Sequence, residues 1–249
     1  MSISLKQALF YVPQDKNWVN KIIIGSFLMF FPTFAYIFPG IRRMLFDPIN
    51  YYAIAVYLMF SLTILVAISG YFYKCVHNRI IHEKHKLPSW NKITYYLEIG
   101  AKSYIGGIIF SIPFIIFNII LWSFAPILNS TELVPFVAIS AFIHVIYSFF
   151  YIMLALNFAQ KFKVSAFWDI KGAWYLIKGN MANFVLLVAY CLTIALLHLV
   201  LSVILVNAQI LSLLLPFLSF YIFMVYADLF AQFALNKIEA ENKVKECKV

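Results

Sequence analysis

Residues 184–206 read FVLLVAYCLTIALLHLVLSVILV, a run without a single Asp, Glu, Lys or Arg. A helix rises about 1.5 Å per residue, so this stretch alone exceeds the roughly 30 Å hydrocarbon core of a bilayer. Five further runs of the same kind lie near residues 22–41, 51–73, 103–128, 134–160 and 210–235. Lipid offers no partner to a free backbone N–H or C=O, so each run is predicted to be a helix. A transmembrane β-barrel would show alternating segments of about 10 residues instead. The expected fold class is therefore all-α: a polytopic transmembrane helical bundle with six spans over residues 1–236, followed by a short charged tail, 237–249. Composition agrees, with 64% hydrophobic and only 12% charged residues and a mean hydropathy of +0.89. Soluble domains carry ~25% charged residues.

The loop charges predict an orientation. Lys6, Lys16, Lys21, Lys74, Arg79, Lys84, Lys86, Lys92, Lys102, Lys161, Lys163, Lys171, Lys178, Lys237, Lys243, Lys245 and Lys248 all fall on one side of a six-span chain. Only Arg42 and Arg43 fall on the other, with Asp47 nearby. Basic residues stay cytoplasmic, so the expectation is a multi-pass protein of the cell (plasma or inner) membrane with both termini cytoplasmic. The first run is too long for a signal peptide and no small-x-small site follows it, so it reads as an uncleaved anchor. The net charge of +9 then sits mostly at the cytoplasmic face, where it attracts anionic lipid headgroups. The partners expected are the bilayer, those headgroups and an unidentified membrane protein. No basic region stands apart from the membrane, so nucleic acid is not expected.

Three stretches between the runs carry apolar residues at helical spacing with lysines and aromatic rings, as interfacial helices do. They lie near 4–12 (Leu5, Leu9, Val12), 90–102 (Ile93, Tyr96, Leu97, Ala101) and 167–178 (Phe167, Ile170, Trp174, Ile177). Trp18, Trp90, Trp168 and Trp174 are the candidate interface anchors. The three starts, near 5, 90 and 167, suggest a repeat of an interfacial helix followed by a two-span hairpin.

Catalytic and metal chemistry find little support. Of ten acidic residues only Asp228 lies within a span, near its inner boundary, where its charge is expected to reach water. No GxSxG, HExxH or GxxxxGK[ST] occurs. Cys75, His77, His82 and His85 share one loop, but their spacing matches no standard zinc site. The three cysteines form no CxxC and no disulfide framework. No catalytic, cofactor-binding or metal residue and no cofactor is expected, and the chain is not read as an enzyme.

Polar residues in lipid deserve weight. Asn118, His144 and His198 come out at similar depth from the outer face when each is counted along its span. They form either ordinary interhelical hydrogen bonds or a polar site in the outer half of the bundle. Pro32, Pro113 and Pro216 fall inside spans, where proline kinks a helix.

One set of residues carries a resemblance. Asp15–Trp18 with Lys21-Ile22-Ile23-Ile24-Gly25, then Gly70-Tyr71 running into Arg79, then Leu87-Pro88-Ser89-Trp90 ahead of an amphipathic stretch, resemble the DUF4013 family of bacterial and archaeal integral membrane proteins. The segment 167–183 is similar to a second interface helix of such proteins. The family usually has acids around Leu-Pro and Trp, where this chain has His82, Asn91 and Lys92. The resemblance implies membrane residence; the family has no assigned reaction, so no catalytic residue is carried over. Within the segment itself, Pro88 ends the preceding helix and biases Leu87 to an extended conformation. Two functions stay open: a non-enzymatic scaffold, assembly or accessory factor, and a small transporter or permease using the Asn118, His144 and His198 layer.

Overall fold

A computed structural model describes residues 3–37, 51–82, 86–123 and 130–246. Arg42, Arg43 and Cys247, the loop residues Glu83, Lys84 and His85, and the side chain of His82 lie outside the described residues. Eight α-helices occur among the described residues, and no strand does. They are α1 Leu5–Tyr11, α2 Trp18–Ile37, α3 Tyr51–His82, α4 Ile93–Ser123, α5 Ser130–Lys161, α6 Ile170–Ile177, α7 Met181–Asn207 and α8 Leu215–Glu246. Five of them, α3, α4, α5, α7 and α8, contain stretches long and apolar enough to cross a membrane. Within α2, Trp18–Thr33 is a shorter apolar stretch. This is a multi-pass helical membrane protein.

The chain forms two compact units, residues 1–101 with 179–249, and residues 102–178. In the first, α8 is the central element, packing against α1, α2, α3 and α7. Its most apolar window is 44% buried, against 11–28% in the other four long helices. Phe220, Met224, Val225, Leu229 and Phe233 are all fully enclosed, as a helix surrounded by its neighbours requires. Small residues set how close those neighbours come. A Cβ on Gly70 of α3 would stand 1.8 Å from the Tyr96 carbonyl oxygen of α4, and one on Gly100 would stand 1.8 Å from the Val66 oxygen. The two helices thus touch backbone to backbone, each through its own glycine. This is the way membrane helices pack when apolar burial gives no advantage over lipid.

The second unit packs α5 against α6 and the 3-10 turn Val164–Phe167. Helix α5 ends at Lys161, and Phe162 turns the chain with φ +50° while its N–H returns to the Phe158 carbonyl at 2.8 Å. Helix α6 is capped by Asp169, whose Oδ1 accepts from the Gly172 N–H at 2.8 Å, and is followed by Gly179 at φ +80°, as C-terminal caps favour. Asn157 ties the turn down by donating to the Ala166 carbonyl at 3.0 Å.

Several expectations take a different form. The stretch 90–102 is not a separate helix: a 3-10 turn, Trp90–Lys92, leads straight into α4, which runs unbroken to Ser123. Helices α1 and α6 are separate short elements. The face of α6 is also rotated relative to the reading of 167–178: Phe167 and Ile177 are buried, while Ile170 and Trp174 are exposed. Pro216 sits in the first turn of α8, where a missing N–H costs no hydrogen bond. The prolines inside helices are Pro32, Pro113 and Pro135.

The glycine contacts give a graded expectation. Gly70→Ala and Gly100→Ala drive a methyl group into backbone and should each cost about 2–3 kcal/mol. Gly107→Ala meets only the end of the Tyr151 side chain, at 2.9 Å, and should cost less than about 1 kcal/mol. Thermal unfolding in detergent, followed by tryptophan fluorescence, orders the three. Equal losses for all three would contradict the backbone contact.

A polar knot around the Leu87–Trp90 segment

Leu87, Pro88 and Ser89 lie outside any helix, just before the 3-10 turn that begins at Trp90, yet Leu87 is buried. Its peptide groups therefore need partners from elsewhere. Asp15 and Lys21 supply them. The Leu87 N–H donates to Asp15 Oδ2 at 2.8 Å, and Lys21 Nζ donates to the Leu87 carbonyl at 2.6 Å. The two side chains also pair with one another at 2.7 Å. One ion pair thus grips both polar groups of one residue.

Local sequence builds that grip. Asp15 follows the 3-10 turn Val12–Gln14 in an extended conformation. Its Oδ1 accepts from the Asn17 N–H at 2.8 Å, and its carbonyl from the Trp18 N–H at 3.1 Å, which orients the start of α2. Lys21 then stands one turn into α2. Burial opposes ionisation of Asp15, but the hydrogen bond from Lys21, the N–H groups of Asn17 and Leu87 and the Lys21 charge outweigh it. Its carboxyl is held below the usual carboxylate range.

The aromatic half of the knot lies alongside. Trp90 Nε1 donates to the Lys21 carbonyl at 2.9 Å, and its ring stacks on Tyr71 at 4.1 Å and 5°. The Tyr71 hydroxyl donates to the Pro88 carbonyl at 2.9 Å. Tyr96 meets both rings edge-on and donates to the Ser89 carbonyl. Phe220 of α8 closes the cluster 6.0 Å from Tyr71 and 5.9 Å from Trp90. Gly70, next to Tyr71, is the glycine that lets α4 approach.

A second polar group joins α1, α3 and α8. Arg79 Nε pairs with Asp228 Oδ1 at 3.2 Å, with Arg79 only 6% and Asp228 only 1% exposed. Asp228 is therefore not a water-facing helix end: its charge is met by arginine rather than solvent. Gln232 donates to Asp228 Oδ2 at 2.6 Å and exchanges two hydrogen bonds with the Ser4 backbone. Ser4 caps α1 through its hydroxyl. Loop-charge counting assigned Arg79 to solvent; the signal that it belongs inside is the one acid in an apolar span needing a partner.

The candidate polar layer is distributed over both units. In the second, Asn118 Nδ2 donates to the Phe114 carbonyl at 2.8 Å, and His144 Nδ1 lies 2.7 Å from the Ser140 carbonyl with its ring edge-on to Phe114. Phe114 is thus a common neighbour of both. In the first unit His198 Nε2 lies 3.0 Å from Ser219 Oγ. Of the tryptophans, Trp18 and Trp90 are half-buried, while Trp168 and Trp174 are 53% and 48% exposed. Among the described residues no group of three His, Cys, Asp or Glu is placed to hold a metal ion.

Asp15→Asn should lower unfolding stability at pH 7 by about 2–3 kcal/mol, because it leaves the Lys21 ammonium and the Leu87 N–H poorly met. The wild-type contribution has a definite pH dependence. The folded-state pKa is depressed, so the stability is present above the ordinary value near ~4 and is lost as pH falls through the folded value. Unfolding in detergent between pH 7 and pH 3 should show the gap between wild type and Asp15→Asn closing toward acid. A constant gap would contradict the ion pair.

Gly70-Tyr71, Arg79 and Leu87–Trp90 lie within residues 53–207, which match the family described as a protein of unknown function (DUF4013), while Asp15 and Lys21 precede the matched stretch. Neither the curated proteins nor the solved structures offer a match. With well over half its length matched, the chain belongs to the DUF4013 family.

Proposed function

We propose that the protein is a non-enzymatic scaffold, assembly or accessory factor of the cell membrane, with six spans and both termini in the cytoplasm. The observation that carries this reading is α6. It joins α5 and α7, two helices long and apolar enough to cross a bilayer, so it lies along a membrane face. Its buried side is spent on Ala173, Leu176 and Ile177. Its other side shows Ile170, Trp174 and Tyr175, with Trp168 just before it and Lys171 and Lys178 at the same surface, all exposed. Exposed rings among lysines suit headgroups or the flank of another membrane protein. The lysine distribution supports a cytoplasmic position for that face.

A small transporter or permease is the alternative, and one observation favours it. Tyr104, Gly107, Ile108, Ser111, Ile115, Tyr147 and Tyr151 line a cavity of about 350 Å³ between α4 and α5. It carries hydroxyl groups at membrane depth, and Ser111 and Tyr147 are hydrogen-bonded to one another there.

Crosslinking in native membranes separates the two. Lysine-reactive crosslinkers should join Lys171 or Lys178 to a second membrane protein, and Trp168→Ala with Trp174→Ala should remove that product without lowering the unfolding temperature. Proteoliposomes should take up no solute. Saturable uptake that disappears in Tyr147→Phe or Ser111→Ala would overturn the scaffold reading in favour of transport.

A further inference from the structure

Beside the Trp90–Tyr71 stack lies a second cavity, of about 440 Å³, within the roughly 300–1,000 Å³ range of small-ligand sites. It is lined by Lys74, Asn91, Lys92, Thr94, Tyr95 and Tyr96. Its two ammonium groups come from different elements: Lys74 from α3, and Lys92 from the turn before α4. Like charges repel, so packing alone gives no reason to gather them around one hollow. Lys74 Nζ also stands 5.7 Å over the Tyr95 ring, which holds it at the wall. Asn91, Thr94 and the tyrosines add uncharged donors, and none of these lining residues is a carboxylate. Tyr96 belongs to the aromatic knot, so the wall is rigid on that side. The position is equally specific. Lys74 directly follows the apolar run that ends at residue 73, which is where the proposed six-span arrangement brings lipid headgroups.

We propose that this cavity binds a phosphate group, supplied by the headgroup of an anionic phospholipid. Lysine is a compact point charge suited to phosphate, and two of them with a threonine hydroxyl can meet several of its oxygens. The proposed cytoplasmic placement decides only which leaflet supplies the lipid. The binding chemistry does not depend on it.

The test uses the purified full chain in detergent, titrated with phosphatidylglycerol or phosphatidylcholine and read by native mass spectrometry. Phosphatidylglycerol should bind in preference to phosphatidylcholine. Lys74→Gln with Lys92→Gln should weaken it about thirtyfold, from about fivefold per lysine near anionic lipid. Lys74→Arg with Lys92→Arg should keep binding, and so should Lys163→Gln with Lys178→Gln, which do not line the cavity. Thr94→Glu, at an exposed lining position, should weaken binding similarly and serves if the double glutamine variant loses its fold. Displacement of the lipid by millimolar inorganic phosphate would support the phosphate site while assigning it to a soluble ligand. Binding of phosphatidylglycerol that is unchanged in the double glutamine variant and in Thr94→Glu would overturn the proposal. So would equal binding of both lipids. Reporter fusions placing the Leu87–Trp90 loop outside would refute the orientation and leave this result untouched.

Discussion

Every chain that crosses a bilayer several times must leave helical geometry between its spans, and the peptide groups freed there need partners. Here the break at Leu87–Pro88 comes where the backbone is still enclosed by protein. Pro88 cannot continue a helix and holds Leu87 extended, so the Leu87 N–H and C=O point sideways with no repeat to satisfy them. Asp15 and Lys21 meet both at once. Because those two residues flank the start of α2, the same ion pair fixes where the first long helix enters. Because Pro88 and Ser89 accept from Tyr71 and Tyr96, it also fixes how α3 and α4 meet. The glycine crossing lies beside these groups, with Gly70 next to Tyr71 and in contact with the Tyr96 carbonyl, so the two backbones touch there.

The Arg79–Asp228 pair works on the same rule with higher stakes. Neither charge has water, so each is tolerable only with the other. The pair adds no obvious net stability over a well-packed apolar substitute, but it joins α3 to α8 in one register. Gln232 extends that register to the backbone of Ser4 and so to α1. Two ion pairs, with the hydrogen bonds from Tyr71, Trp90, Tyr96 and Gln232, thus fix the register of a unit whose other contacts are largely apolar.

The helices were legible because length and apolarity are properties of a run, read without knowing any neighbour. Leu87-Pro88-Ser89-Trp90 was legible as a break for the same reason: Pro88 acts on its own backbone. What stayed hidden depends on neighbours. Depth arithmetic put Asp228 near a span end and therefore near water, but depth along one helix says nothing about which side chain stands opposite. Arg79 was counted with the loop lysines because charge alone cannot tell a solvated cation from a buried one. The 90–102 stretch has interfacial spacing, yet Tyr96 and Gly100 lie against α3 while Ile93 is exposed, and the stretch runs on into the long helix α4. Asn118 and His144 illustrate a third case. Each finds a carbonyl four residues back on its own helix, a local solution that matching depths do not reveal.

One ion pair holds the Leu87 peptide, and hydrogen exchange measures that hold directly. In the purified protein, the Leu87 amide should exchange slowly, at a rate close to that of the adjoining helices, although it lies outside any helix. Asp15→Ala should raise exchange there by at least about tenfold while the interior of α8 stays protected, as loss of a local rather than a global constraint requires. Rapid exchange of Leu87 in the wild-type protein, or protection unaffected by Asp15→Ala, would contradict the account.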